Sequence, residues 1–325
     1  MPTESTSSAG ERPTLPASRR VLPVEYAGPK PGRAEFTAGV VNRLSMPQKI
    51  LAHTVLVLLC IPFILPLVWM ISTSLKTDAQ IFPPEDQQSA PISLMSLIPR
   101  PIHWRNYPDA LVTVPFHIYL RNTLFLCVMN VFGAVLSSAI VAYGFARLQF
   151  RGREVLFMLM ISTMALPGQV TMIPVFKLFQ TLGWYGTFLP LIVPAFFGNA
   201  FFIFLLRQFF RTIPEELGEA ARIDGASEWG IFWRIMLPLA KPALATVALF
   251  QFLGTWNDFF GPLLYINNPN KYTLAYGLQQ FMTSYGGKWA QLMAGACIFT
   301  IPIIILFFFA QRTFIQGIST TGSKA

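Results

Sequence analysis

Residues 215–238 read EELGEAARIDGASEWGIFWRIMLP. Five acids (Glu215, Glu216, Glu219, Asp224, Glu228) and two arginines (Arg222, Arg234) fall within these 24 positions, in a 325-residue chain that is only 12% charged. Such a stretch must meet water or another protein, because unpaired charge is costly to bury. What surrounds it is apolar: 53% of the residues are hydrophobic and 30 are Phe. One soluble core of this length has no room for that much apolar surface. The chain is therefore expected to lie in a bilayer, with residues 215–238 emerging from it.

A hydrocarbon core of about 30 Å needs about 20 apolar residues at 1.5 Å each. Runs free of charge and His cover residues 54–75, 122–146, 155–176, 178–206, 242–257 and 289–311. The fifth is short, but beyond Asp258 it continues as FFGPLLYI to Ile266, long enough if one carboxylate is tolerated near its far end. The pattern predicts an all-α membrane protein with six transmembrane helices. Six spans divide the Lys and Arg residues 17 to 7, the larger share lying with both termini and with loops 147–153 and 207–241. Basic residues stay on the cytoplasmic side during insertion, so both termini are expected there. Much of the net charge of +9 is then topology signal, and no nucleic-acid patch is inferred.

Residues 1–48 form the expected disordered cytoplasmic tail, rich in Pro, Ser, Thr, Gly and Arg and without apolar periodicity. No apolar region of signal-peptide length lies near Met1. Residues 49–325 form the membrane domain, with a core at 117–310 and a cytoplasmic loop at 207–241. The proline-rich segment within 76–121 reads as irregular and external.

Catalytic and metal motifs are missing. Cys60, Cys127 and Cys297 lie inside spans at no metal or disulfide spacing and read as small core hydrophobes. His53, His103 and His117 form no paired motif, and no GxxxxGK[ST] phosphate loop exists. The chain is expected to be no enzyme and to hold no cofactor or metal; if ATP is used, another chain binds it. Within the spans, Gly133, Ala134, Ser137 and Ser138 suit close helix approach. The prolines Pro62, Pro66, Pro167, Pro174, Pro190, Pro194 and Pro302 are compatible with kinked helices around a path. Asp258 is an ionisable group near the outer end of a span, open to either a functional or a structural pairing role.

Within 215–238, Thr212 and Glu215 are spaced as a capping box, with Pro214 in the first turn. Asp224-Gly225 ends that helix, with Gly225 expected at positive φ, and Ser227 caps a second helix running to Pro238. Leu217, Ala220, Ala221 and Asp224 fall on one side of the first helix and Glu215, Glu216, Glu219 and Arg222 on the rest. Patterning alone leaves two readings open: a helix docked in a partner's groove, with Glu219 meeting an Arg or Lys there, and a solvated loop.

The spacing Glu219-Ala220-Ala221, three residues, Gly225, nine residues, Ile235-Met236-Leu237-Pro238 resembles the signature of permease subunits of binding-protein-dependent ATP-binding-cassette (ABC) importers. The segments RNTLF (121–125), AYGFARLQFRG (142–152), TWNDFFGPLLY (255–265) and QRTFIQGISTTGSKA (311–325) resemble the carbohydrate branch, in particular its maltose-importer-like second permease. The resemblance implies a type I importer permease fold and a sugar as cargo, whether oligosaccharide, polyol or a related compound. It also implies three kinds of partner: a second permease forming a heterodimer, an ATPase dimer and an extracytoplasmic sugar-binding protein. Glu219, Ala220, Ala221, Asp224, Gly225, Ile235, Leu237 and Pro238 would dock to the ATPase, so that its closure drives alternating access. Most sugar contacts in such importers come from the other permease; here Trp256, Asn257, Asp258 and Tyr265 are the candidates for the path. An ion-coupled secondary carrier, or a permease for a non-sugar solute, are the alternatives.

Overall fold

The computed structural model describes residues 45–82, 97–283 and 286–322. The tail up to residue 44, most of the IFPPEDQQSAP segment and the last three residues lie outside them. The chain divides at Pro62. Up to that point the described part is the first stretch of helix α1 (Met46–Ser74), whose apolar side chains are exposed.

From Phe63 onward the fold is built on one long helix. After the end of α1 come α2 (Asn106–Thr113), α3 (Phe116–Arg147), α4 (Arg153–Ser162), α5 (Gly168–Thr181), α6 (Ala200–Thr212), α7 (Glu216–Ile223), α8 (Lys241–Trp256), α9 (Phe260–Tyr265) and α10 (Trp289–Gly322). Helix α3 runs through two apolar clusters. At one end Ala139, Ala142 and Tyr143 pack with Phe202, Leu206 and Phe210 of α6, Phe232 and Met236 of the loop, and Val247 of α8. At the other, Tyr119 and Cys127 pack with Ala110 of α2, Trp256 of α8, Leu274 and Phe281 from the segment before α10, and Ala294 of α10.

The small residues of α3 do bring a neighbour close. A Cβ on Gly133 would lie 2.7 Å from the Phe196 ring, and Ser137 Oγ donates to the carbonyls of Gly133 at 2.7 Å and Ala195 at 3.0 Å. Cys127 and Cys297 are buried as expected, but Cys60 is exposed.

Four helical stretches are each long and apolar enough to cross a membrane: Met46–Ser74, Phe116–Arg147, Leu189–Thr212 and Trp289–Phe309. The count reaches six only if two bent pairs each make one span. Three expected spans need correction. The run 155–176 is no single helix: Arg153–Ala165 and Gly168–Thr181 meet at 99°, because Pro167 sits extended at the junction (ψ 132°) and has no N–H to continue the ladder. The run 178–206 begins too early, since Gly183 and Gly186 adopt φ of 71° and 78° in a turn and the apolar helix starts at Leu189. The run 242–266 is interrupted after Trp256, and α9 is a separate short helix. Among the described residues the fold is helical but for one two-residue ladder, Met282–Thr283 with Gly286–Gly287.

Candidate functional site

The loop between α6 and α8 is where sequence and structure meet most closely. Helix α7 begins at Glu216 with no side-chain cap. The expected capping box does not form, because Thr212 is still the last residue of α6 and its hydroxyl donates back to the Phe209 carbonyl at 2.8 Å. The helix does end at Asp224-Gly225, where Gly225 takes φ of 81°. Ser227 Oγ accepts from the Gly230 N–H at 3.2 Å, starting the second helical stretch as expected. That stretch passes through a five-residue π turn, Phe232–Met236, and through Pro238, stopping at Leu239 rather than at the proline. It then bends by 78° into α8. Pro238 is tolerated because it lies in the first turn of a new helical segment, Leu237–Leu239.

Two side chains of the loop, Arg222 and Glu228, and one from α3, Tyr143, brace it. Tyr143 of α3 donates its hydroxyl to Glu228 Oε2 at 2.6 Å, and Arg222 Nε of α7 donates to Glu228 Oε1 at 2.7 Å. Tyr143 is itself fixed by aromatic contacts to Phe232 and Phe210. Glu228 thereby joins both arms of the loop to the central helix. Its carboxyl is held below its ordinary pKa by Arg222 first and Tyr143 second. A second anchor is Arg147, which donates through Nη2 to the Phe210 carbonyl at 2.6 Å and to that of Ile213, backbone oxygens left over where α6 ends.

The brace decides which face of α7 is free. Gly218 is buried and Ala221 packs on the core, whereas Glu216, Glu219, Ala220 and Ile223, spaced as one helical face, are exposed. Ile223 is 87% exposed. Among the described residues the Glu219 side chain has no hydrogen bond or ion pair. Asp224, Gly225 and Pro238 are exposed as well, while Ile235 is half-buried and Leu237 packs on the core. The free face is thus acidic with one large apolar side chain at its end. Ile223 was not among the residues expected at the site, although its helical spacing from Glu216, Glu219 and Ala220 was visible. Tyr143 and Arg147 had no local signal, since each reaches its partner across 60 or more residues.

The four candidates for a path separate. Asp258 and Tyr265 line a cavity of about 290 Å³ together with Asn130, Gln251, Thr255 and Thr273. Asp258 Oδ1 accepts from the Gly261 N–H at 2.9 Å. Trp256 instead lies in the core, stacked on Phe252 at 5.4 Å and tilted against Phe299 at 5.5 Å. Asn257 is exposed and bonds back to the Leu253 carbonyl. No cluster of three or more metal-binding side chains occurs among the described residues.

This bundle of long apolar helices, broken by sharp bends and carrying a braced polar loop, defines a membrane-embedded helical protein. Residues 134–320 match the family described as binding-protein-dependent transport system inner membrane component, and the chain belongs to that family. It is 38% identical over 206 residues to the arabinooligosaccharides transport system permease protein AraQ of Halalkalibacterium halodurans, covering 63% of this chain and 74% of that protein. It is 31% identical over 274 residues to the diacetylchitobiose uptake system permease protein NgcG of Streptomyces coelicolor, covering 83% and 87%. The crystal structure of a bacterial ABC transporter involved in import of the acidic polysaccharide alginate has a chain that superposes with a TM-score of 0.67 at 26% identity, covering 87% of this chain and 99% of that one.

Proposed function

We propose that the chain is the permease subunit of an ATP-driven ABC importer for sugars, with loop 207–241 in the cytoplasm as the coupling element. The observation that carries this reading is the free face of α7: Glu219 unpaired among the described residues and Ile223 exposed, on a helix that Tyr143, Glu228 and Arg222 hold in place. An apolar anchor beside a carboxylate is what a basic-lined cleft in another protein would accept. The occupied cleft belongs to an ATPase pair, which closes on ATP and draws the coupling helices of this chain and a second permease together. The brace transmits that movement to α3 and so to the spans.

A sugar as cargo is supported by the names of the relatives, which include the maltose/maltodextrin transport system permease protein MalG of Photorhabdus laumondii, 32% identical over 248 residues. The cavity at Asn130, Gln251, Thr255, Asp258 and Tyr265 offers the amide, hydroxyl and carboxylate groups that hydroxyl-rich solutes need. An extracytoplasmic sugar-binding protein delivers the cargo at that end, and both termini of this chain lie in the cytoplasm.

The test is Glu219→Lys in the complex purified with its partner subunits. Loss of the ATPase, or hydrolysis without uptake, is expected, with the second permease still bound; reversing the charge of the facing Arg or Lys on the ATPase should partly restore uptake. Normal uptake with the ATPase firmly held would sink the docking reading.

A further inference from the structure

A second polar cavity, of about 420 Å³, lies at the same end of the bundle as the braced loop. It is walled by the end of α3 (Arg147), the turn after it (Gln149), the start of α4 (Arg153, Glu154), the end of α6 (Arg207, Arg211) and Glu215. Four arginines against two glutamates leave two positive charges in excess.

The internal contacts show where that excess sits. Glu154 pairs with Arg153 at 2.9 Å and with Arg207 at 3.6 Å. Arg207 is only 6% exposed, its Nε donating to the Phe145 carbonyl at 3.2 Å and its guanidinium lying 3.8 Å from the centre of the Phe157 ring. Arg147 spends one terminal nitrogen on the Phe210 and Ile213 carbonyls, and its Nε is buried. Arg211 is exposed, its side chain making no hydrogen bond or ion pair among the described residues. One Glu154 carboxylate shared by two arginines leaves the cavity positive, and among the described residues the exposed donors without a partner belong to Arg211.

Beside this cavity, α4 carries a run of exposed apolar side chains: Val155, Leu156, Met158 and Leu159, with Phe150 at the turn before it. A basic cavity at the foot of an outward-facing apolar helix matches an amphiphile whose head is anionic and whose tails are aliphatic. Basic pockets at the cytoplasmic ends of transmembrane helices suit acidic phospholipid head groups, and a guanidinium offers the bidentate geometry a phosphate accepts.

We propose that this cavity binds the phosphate of one acidic phospholipid, with its acyl chains lying along α4. The head group binds Arg211, the exposed guanidinium of the cavity wall. Arg147, in the same cavity wall as Arg211, holds the Phe210 and Ile213 carbonyls, so the lipid sits beside the root of the coupling loop. The inference rests on the cytoplasmic placement of loop 207–241, which accessibility of Ala226→Cys to a membrane-impermeant thiol reagent tests separately.

The experiment uses the intact complex in nanodiscs of phosphatidylcholine doped with spin-labelled phosphatidylglycerol or with spin-labelled phosphatidylcholine. The wild type should retain phosphatidylglycerol preferentially. Each basic residue near a membrane surface is worth about a fivefold preference, so Arg211→Gln should cut the preference by about fivefold. Arg211→Lys should keep most of it, and Arg105→Gln, at an exposed site outside the cavity, should change nothing. Arg211→Gln should leave the ATPase bound, which separates failure of this proposal from failure of the docking reading. Equal retention of both lipids, or a preference unmoved by Arg211→Gln, overturns the proposal. Displacement of the lipid by inorganic phosphate at physiological concentration would instead mark a soluble-anion site and also overturns it.

Discussion

The brace on loop 207–241 makes a quantitative prediction through Tyr143→Phe. The substitution keeps the ring that packs on Phe232 and Phe210 and deletes only the hydroxyl that lies 2.6 Å from Glu228 Oε2. A hydrogen bond to a charged group contributes about 1.5 to 3 kcal/mol. The lower end applies here, because the Glu228 side chain is 42% exposed and water partly replaces the lost donor. A loss of about 1.5 kcal/mol corresponds to roughly a tenfold larger opening constant for the loop. Amide hydrogen exchange reads that constant directly when opening is local. In the purified complex, amides of residues 216–223 and 228–236 should exchange roughly tenfold faster, while those in the middle of α8 keep their wild-type rates. A rise of less than about twofold in the loop, or an equal rise along α8, would refute the reasoning.

The remaining predictions concern single side chains. Gly225 has φ of 81° and a Cβ added there would meet no atom within 4 Å, so substitutions are penalised by backbone conformation alone. Gly225→Val should cost about 1 kcal/mol or more and uncouple ATP hydrolysis from uptake, whereas Gly225→Asn, which tolerates the left-handed region, should be milder; equal effects in a transport assay would contradict this. The Glu228 carboxyl is held below its ordinary value of 4.5, so the brace is complete at neutral pH and is lost as pH falls below that value through the folded pKa; loop exchange corrected for its intrinsic pH dependence should rise in acid for wild type and much less for Glu228→Gln. Asp258→Leu should lower sugar uptake while the complex remains assembled, and unchanged uptake would return Asp258 to a purely structural role. Ile223→Asp should weaken ATPase retention without altering loop exchange, which a co-purification ratio and the same exchange map together decide.

Much of the architecture was legible in the sequence because hydrophobic run length and charge placement are one-dimensional quantities. The long apolar helices α3 and α10 fall close to the runs 122–146 and 289–311, and the helix, glycine turn and helix of 215–238 follow from Gly225 and Ser227, residues whose backbone and capping preferences act within a few positions. Run length could not tell a straight span from a bent one: Pro167 and the turn glycines Gly183 and Gly186 interrupt or delay helices inside charge-free runs that otherwise look continuous. Nor could it say which face of α7 stays free. That depended on Tyr143 reaching Glu228 across 85 residues and on the packing of Gly218 and Ala221. Trp256 and Asp258 illustrate the same limit, being two residues apart yet divided by the end of α8 into a core aromatic and a cavity carboxylate. Local chemistry set the elements; only the long-range packing around α3 decided which of their side chains face inward and which remain open to a partner.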